Sequence, residues 1–515
     1  MNLLRAAATI SSLTLLSRIT GLIRDMLIAR IFGASAATDA YNVAFRLPNL
    51  LRRLFAEGAF QQAFVPILAD VRAREGESGS RVFINHVASV LLFVLLLVSV
   101  LGVLAAPVLV WLIASGLSAE PDTFALATTM TRWMFPYILF MSLVALAASV
   151  LNTWKRFAVP AFTPVLLNLS LIAAAVWLAP HMSQPILALA VGVLAGGAAQ
   201  LAIQLPALVR IGMLPRLGNP IMALRDPAVR RVLTLMLPAL FAVGVAQISI
   251  IINTNIASHL AVGSVTWLAF ADRLMEFPTA LLGVALGTVL LPGLSAAFAE
   301  KRVEHYNELL DWGLRLVFIF ALPAAVGLGL MADGLVAVLF QGSKFTAADV
   351  NQTATAVIGY SVGLIGLIAV KILAPGFYAQ KDIKTPVKIG VVVLVSTQIA
   401  NLALVPIFAH AGLALSVGLG ACLNATLLFV VLRRRGTYRP LPGWQRLFLS
   451  LTLALAVLAG VLVAAQWNLD WTAMHERWWL RAGLMSVIVV AAATSYLAVL
   501  ALLGYRPRHL RLSTK

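Results

Sequence analysis

The sequence predicts an all-α polytopic membrane protein of about fourteen transmembrane helices, at about 20 apolar residues per crossing. Of its 515 residues 61% are hydrophobic and only 11% charged, with a mean hydropathy of +0.95. Such a chain cannot cover itself with the charged surface a soluble domain needs. Apolar runs long enough to span a bilayer core recur along its whole length. The segments between the runs alternate between basic and nearly uncharged, as loops on opposite faces of a membrane do.

The expected spans are 8–32, 38–68, 83–114, 124–150, 160–179, 185–208, 231–257, 264–297, 312–331, 350–377, 386–405, 412–432, 445–465 and 480–503. Arg18, Arg24 and Asp25 follow the first apolar run at once, so it reads as a membrane helix rather than a cleaved signal peptide. The second span is the least hydrophobic and contains FRLPNLLRRLFAEGAFQQAF. Proline and glycine inside several spans are tolerated where neighbouring groups satisfy the freed backbone.

Basic loops are 70–82, 152–158, 209–231, 299–311, 379–388, 433–446 and the tail RPRHLRLSTK, whereas 33–37, 115–123, 180–184, 258–263 and 406–411 carry no Lys or Arg. About 25 of the 38 basic residues fall on one face and about two on the other, which places both termini in the cytoplasm. The net charge of +18 is therefore mostly topological, with attraction to anionic lipid headgroups as a secondary effect. Nucleic acid is not an expected partner, because no soluble domain is left to bind it. The single cysteine, Cys422, lies in an apolar run and reads as a small packing residue, with no disulfide and no metal site to join.

An internal repeat runs at an offset of 226 residues: NTWKRFAVP ends at Pro160 and YAQKDIKTP at Pro386, with Lys155 matching Lys381. At the same offset Pro66 recurs as Pro292 and Gly116 as Gly342, while Arg46 falls within one residue of Arg273. The offset covers six spans, so both copies cross the membrane in the same direction. Parallel repeats of this kind are related by a pseudo-twofold axis along the membrane normal, with the substrate path between them. The expected organisation is an N-lobe (1–220), a C-lobe (225–440) and two appended helices with a tail (441–515).

Ionisable residues inside the spans narrow the function. Each basic group near mid-bilayer costs about 2.5–3.5 kcal/mol on insertion scales, so it needs partners or a water-filled cavity. Arg30, Arg132, Arg315 and Arg481 lie near span ends and are expected to snorkel to the interface. In the first span Ser11, Thr14, Ser17, Arg18, Gly21, Arg24 and Asp25 recur at helical spacing as one polar stripe. In the second, Asn49, Arg53, Glu57 and Gln61 are i,i+4 neighbours; Arg46 extends the stripe and Arg52 sits beside it. Asp39 lies near the far end of that helix. In the eighth, ADRLMEFP brings Asp272, Arg273 and Glu276 within one turn.

These stripes are expected to face one cavity. Arg53–Glu57 and Arg273–Glu276 read alternatively as structural ion pairs, but the set as a whole keeps an excess of arginine. Guanidinium groups suit phosphate, because their fork donates two parallel hydrogen bonds. An anionic or amphipathic substrate, with phosphate foremost, is the expectation. The sequence holds no Walker-type loop, no His/Glu metal motif and no Ser/His/Asp set, so a transporter rather than an enzyme is expected, without cofactor or metal.

The segments SRITGLIRD, ATDAYNVAFRLPNLLRRLFAEGAFQQAFVPIL, ADRLMEFPTALLGVALGTVLLP, DWGLRL and APGFYAQKDIKTPVKI closely resemble the MurJ (MviN) family of lipid II flippases, in the multidrug/oligosaccharidyl-lipid/polysaccharide (MOP) exporter superfamily. The resemblance covers essentially the whole chain. It implies a multi-pass inner-membrane flippase that moves lipid II, an undecaprenyl-pyrophosphate-linked disaccharide-pentapeptide, to the periplasmic leaflet for peptidoglycan synthesis. It implies substrate-cavity roles for Arg18, Arg24, Arg52, Arg53 and Arg273, and importance for Asp39. Arg46 stands where relatives often carry Lys, and Asp25 and Glu276 join the set by spacing. Ser17 and Glu57 match the lateral portal, and 445–503 matches a groove for the polyprenyl tail. Membrane lipids and cell-wall synthesis proteins are the implied partners. Some relatives bind sodium through carboxylates of the second lobe, but 231–257 and 386–432 contain no Asp or Glu. Membrane potential is therefore the expected energy source. The rival readings are an exporter of another polyprenyl-linked oligosaccharide and a cation-coupled multidrug exporter.

Overall fold

The computed structural model describes residues 3–52, 60–467 and 469–505, and every regular element among them is a helix. The chain parts into two compact units, Met1–Val265 and Thr266–Lys515. The first holds α1 (Leu3–Phe32), α2 (Ala36–Leu51), α3 (Phe60–Leu104), α4 (Ala106–Ile113), α5 (Pro121–Met134), α6 (Tyr137–Thr153), α7 (Ala158–Ala173), α8 (Leu187–Ala202), α9 (Leu205–Arg210), α10 (Pro220–Ala223) and α11 (Pro227–Ser258). At the boundary α12 (Ser264–Ala299) begins. The second unit continues with α13 (Val303–Leu330), α14 (Ala332–Phe340), α15 (Ala347–Ala379), α16 (Lys384–Arg434), α17 (Trp444–Gln466) and α18 (Trp478–Leu502).

Nine helical stretches among the described residues are long and apolar enough to cross a membrane. Two of them are too long for one crossing. At about 1.5 Å per residue α3 and α16 would reach roughly 68 and 77 Å, against a hydrocarbon core of about 30 Å. One residue interrupts each: Gly76 (φ 69°, ψ −155°) in α3 and Ala409 (φ 48°, ψ −130°) in α16. Both breaks fall in segments that the charge pattern marks as loops.

In the first unit the two limbs of α3 fold back on each other around stacked Phe60, Phe64 and Phe83, whose neighbouring ring centroids are 5.0 and 5.5 Å apart. This core takes in Leu146, Val150 and Leu151 of α6, and Val229, Val232 and Met236 of α11. The 226-residue repeat makes α11 the first helix of the second lobe, yet α11 is part of the first compact unit.

In the second unit α15 and α16 form the most extensive helix pair. Close approach depends on small residues: a Cβ on Gly363 would lie 2.1 Å from the Gly418 Cα, and one on Gly366 would lie 2.5 Å from the Ala421 carbonyl carbon. This is the small-residue packing by which membrane helices gain van der Waals contact where no hydrophobic force draws them together. Cys422 sits in that interface, its thiol 3.6 Å from the Val362 carbonyl oxygen. The helices α17 and α18 pack on α13 and α14. Pro323 cannot donate a backbone hydrogen bond to the Ile319 carbonyl one turn back, and the Tyr496 hydroxyl of α18 donates to that oxygen instead at 2.6 Å.

One turn recurs through both units. Lys155, Gly212, Lys301, Lys381, Gly436 and Gly504 all have positive φ, between 55° and 95°. The N–H of the next residue donates five residues back each time, as from Arg156 to the Leu151 carbonyl (2.8 Å) and from Asp382 to that of Phe377 (3.0 Å). These are Schellman caps, and all lie at helix ends in or next to the segments that the sequence marks as basic loops. The matched lysines of the sequence repeat, Lys155 and Lys381, share the same φ of 59°.

Candidate functional site

The polar stripe of α1 is held from both sides. Asp25 Oδ1 accepts from Arg24 Nε at 2.9 Å and from Nη2 at 2.7 Å. Arg24 Nη1 donates to Asn168 Oδ1 of α7 at 2.9 Å. Asn168 in turn donates from Nδ2 to the Ser17 carbonyl oxygen (3.0 Å) and to Thr20 Oγ1 (3.1 Å), lying over Gly21. Arg24 and Asp25 are each 8% exposed, so this is a buried pair with its hydrogen bonds made, the condition under which charge survives in low dielectric. Arg18 is exposed and Ser17 half-buried on the same helix.

On α2, Asp39 is buried and its Oδ2 accepts from the Gly263 N–H at 2.6 Å. Arg46 Nη1 donates to Thr254 Oγ1 of α11 at 2.6 Å. Arg52 turns back onto its own helix, with Nη2 2.7 Å from Asn49 Oδ1. Arg53 and Glu57 lie outside the described residues. Thus Arg24, Asp25, Asp39 and Arg46 are each tied to a second side chain or strand of backbone, and the ties run to α7, α11 and the turn before α12.

In the second unit Arg273 and Glu276 form an ion pair at 3.0 Å, both partly exposed, so the pairing that spacing allowed is present. Asp272 beside them is exposed. Arg132 is exposed at its helix end, as snorkelling requires. Arg481 and Arg315 depart from that expectation. Arg481 is fully buried at the start of α18, where it donates to Gln341 Oε1 and to the Trp471 carbonyl oxygen. A guanidinium with carbonyl acceptors at hand is bound inside the protein more readily than it is carried to the interface. Arg315 Nε donates to Asp311 Oδ2 at 2.6 Å, and Nη2 to the Pro442 carbonyl at 2.8 Å. Asp311 Oδ1 also accepts from Tyr438, Trp444 and the Leu441 N–H, at 2.8, 2.8 and 3.1 Å. That hub fastens α17 to α13.

Sequence reasoning did not single out Asn168, Thr254 or Gln341. Each is a neutral polar residue in an apolar run, with no periodic partner on its own helix. The only signal was the rarity of such a residue where every polar atom must find a bond.

The profile of the family described as Lipid II flippase MurJ matches residues 28–478. A relative named Lipid II flippase MurJ, from Burkholderia cenocepacia, is 53% identical over 516 residues, covering 100% of both chains. A probable lipid II flippase MurJ of Vibrio cholerae is 38% identical, covering 100% of this chain and 98% of its own. Among solved structures, one titled Lipid II flippase MurJ, inward closed conformation, aligns with a TM-score of 0.78 at 23% identity over 96% of this chain and 98% of its own. An inward-facing MATE family transporter of the MOP superfamily aligns at 0.68 with 13% identity, over 83% of this chain and 98% of its own. At those identities the two structures speak for the fold alone. The match to the family profile and the full-length identity to the relatives show that this chain belongs to the MurJ lipid II flippase family.

Proposed function

We propose that this chain is an inner-membrane flippase that carries lipid II from the cytoplasmic to the periplasmic leaflet for peptidoglycan synthesis, working by alternating access with both termini in the cytoplasm. The observation that carries the proposal is the buried Arg24, held by Asp25 and Asn168 on the polar stripe of α1. A guanidinium carried on a polar stripe in a chain with further arginines in its spans suits an anion, and a diphosphate is the ligand its fork fits. Asp25 holds the group while the site is empty, and substrate oxygens replace or join the carboxylate. Arg18, Arg46, Arg52, Arg53 and Arg273 supply further positive charge, with Glu276 holding Arg273. Ser17 and Glu57 serve the lateral portal. The polyprenyl tail runs along 445–503, and membrane potential supplies the drive.

Leaflet exchange of labelled lipid II by protein reconstituted in liposomes tests this. Losing one charge-assisted contact of about 1.5–3 kcal/mol predicts transfer reduced by roughly 10- to 100-fold in Arg24→Ala and in Arg273→Ala. Undiminished transfer in both variants would remove the arginines from the mechanism. Competition by other polyprenyl diphosphates separates lipid II from an exporter of a related oligosaccharide lipid, which shares the diphosphate.

A further inference from the structure

Two ends of α11 are held by different chemistry. Its first turns, through Val229, Val232 and Met236, are rooted in the apolar core built on α3. Its last turn is held by polar contacts. There Ser115 Oγ, in the turn after α4, lies 3.2 Å from Asn255 Oδ1 and 2.9 Å from His259 Nε2. Asn255 Nδ2 donates to the Leu112 carbonyl oxygen at 3.3 Å, and the Gly116 N–H donates to Ser258 Oγ at 3.0 Å. The backbones touch: a Cβ on Gly116 would lie 2.2 Å from the Ser258 carbonyl oxygen and 2.4 Å from its carbon. A cavity of about 180 Å³ opens beside the contact, lined in part by Asp39, Glu120, Thr123 and Ser258.

The sequence repeat assigns α11 to the second lobe, while 112–116 belongs to the first. Alternating access separates lobes at one face and then at the other, so a contact between them at the arginine-poor end must open in each cycle. Side-chain and backbone hydrogen bonds beside a cavity roomy enough for water suit that duty. Water can replace each of them as they part, so the net loss per bond is small. A hydrophobic seal at the same place would resist opening more, because water cannot replace apolar contacts as they part. The backbone-to-backbone fit at Gly116 gives the closed state a defined register, since only glycine permits that approach.

We propose that Ser115 and Gly116, with Asn255, Ser258 and His259 of α11, form a releasable latch that closes the arginine-poor, outer end of the transport path. Gly116 is the residue that lets it close. The inference rests on the flippase reading, but opening can be read without any lipid substrate. With Cys422 as the only native cysteine, the full chain carrying Cys422→Ser takes the pair Ser115→Cys and Asn255→Cys. Oxidation is expected to join the pair and to lower leaflet exchange of lipid II at least tenfold, with recovery on reduction. Transfer unchanged by the cross-link would overturn the latch.

The second arm needs no transport. Thr254 is 1% exposed on the same turn. Placed in the Cys422→Ser background, Thr254→Cys is expected to react severalfold faster with a membrane-impermeant maleimide when Gly116→Ala or Asn255→Ala is added. Asn255→Ala removes bonds without a clash, so it remains informative if the glycine variant fails to fold. Unaltered labelling in Asn255→Ala would overturn the latch. A rise in labelling with no lipid II transfer by the parent would support the latch and count against the flippase reading alone.

Discussion

Arg24 and Arg481 are both buried guanidinium groups in apolar helices, 8% and 0% exposed, yet they are held in different ways. Arg24 leans on Asp25, its neighbour on the same helix, and reaches one other element through Asn168. Arg481 reaches from α18 to Gln341 at the end of α14 and to the Trp471 carbonyl of the loop before it, and Gln341 also donates to the Thr472 carbonyl at 3.1 Å. The joint leaves no slack: a Cβ on Gly334 would lie 2.6 Å from Met485 Cε and 2.9 Å from the Trp471 ring. Burial alone therefore does not mark a working arginine. The number of separate elements each side chain fastens is the difference that the proposed roles rest on. One group is paired with a counter-charge on its own helix and bonded to an amide of α7, whereas the other rivets three segments together.

The largest effect should fall on the rivet. Arg481→Ala leaves Gln341 and the Trp471 carbonyl without their donor and opens a void in a close-packed joint. The expected loss of stability is about 3 kcal/mol or more, read as a fall in thermal midpoint by intrinsic fluorescence in detergent. Protein that remains folded should still move lipid II at near the parent rate. A variant of parental stability with lost transfer would reverse the assignment and make Arg481 the working group.

A smaller effect, confined to transport, is expected at Asn168→Ala. The substitution cuts the tie between α1 and α7 while Arg24 and Asp25 keep each other. Loss of one neutral hydrogen bond predicts a stability change of about 1 kcal/mol, whereas transfer should fall severalfold as Arg24 loses its fixed direction. Equal loss in Asn168→Ala and Asn168→Gln would show that the direction of the guanidinium depends on the length of the amide and not only on its presence. Parental transfer in Asn168→Ala would mean that Asp25 positions Arg24 by itself.

The sequence made Arg24 legible and Arg481 not, for a physical reason. Arg24 belongs to a stripe, and a 3.6-residue period is visible in one dimension. Arg481 stands alone near a helix end, where a long side chain usually reaches water, and its partners come from α14 and a loop some 140 and 10 residues away. Contacts between distant elements leave no period. The helices themselves were legible because a run of apolar residues states its own length, and the breaks at Gly76 and Ala409 because charge or its absence marks each loop. Asn168 was hidden for the same reason as Arg481: a single amide among leucines has no rhythm.

The weakest effect tests whether the repeat, like the two arginines, hides unlike chemistry under a like appearance. The turns at Lys155 and Lys381 share φ and hydrogen bonding but not their surroundings. After Lys381, Asp382 accepts from the Thr385 hydroxyl (2.6 Å) and Arg435 (2.7 Å), contacts that hold its carboxyl down at about 2. At the matching position after Lys155 stands Arg156, and there Arg72 covers Trp154 at 4.2 Å and donates to the Thr153 carbonyl. Each lysine is left-handed at a cost of roughly 1 kcal/mol relative to glycine, while its charge at a helix C-terminus returns about 0.3–1 kcal/mol. Lys155→Gly and Lys381→Gly should therefore each raise stability by up to about 0.7 kcal/mol, and a β-branched Val should lower it. If glycine instead lowers the thermal midpoint at both turns, the helix dipole outweighs backbone strain, and the lysines are kept for their charge. If it does so at one turn only, the unlike surroundings decide, and the repeat preserves a backbone shape whose stabilisation is local to each unit.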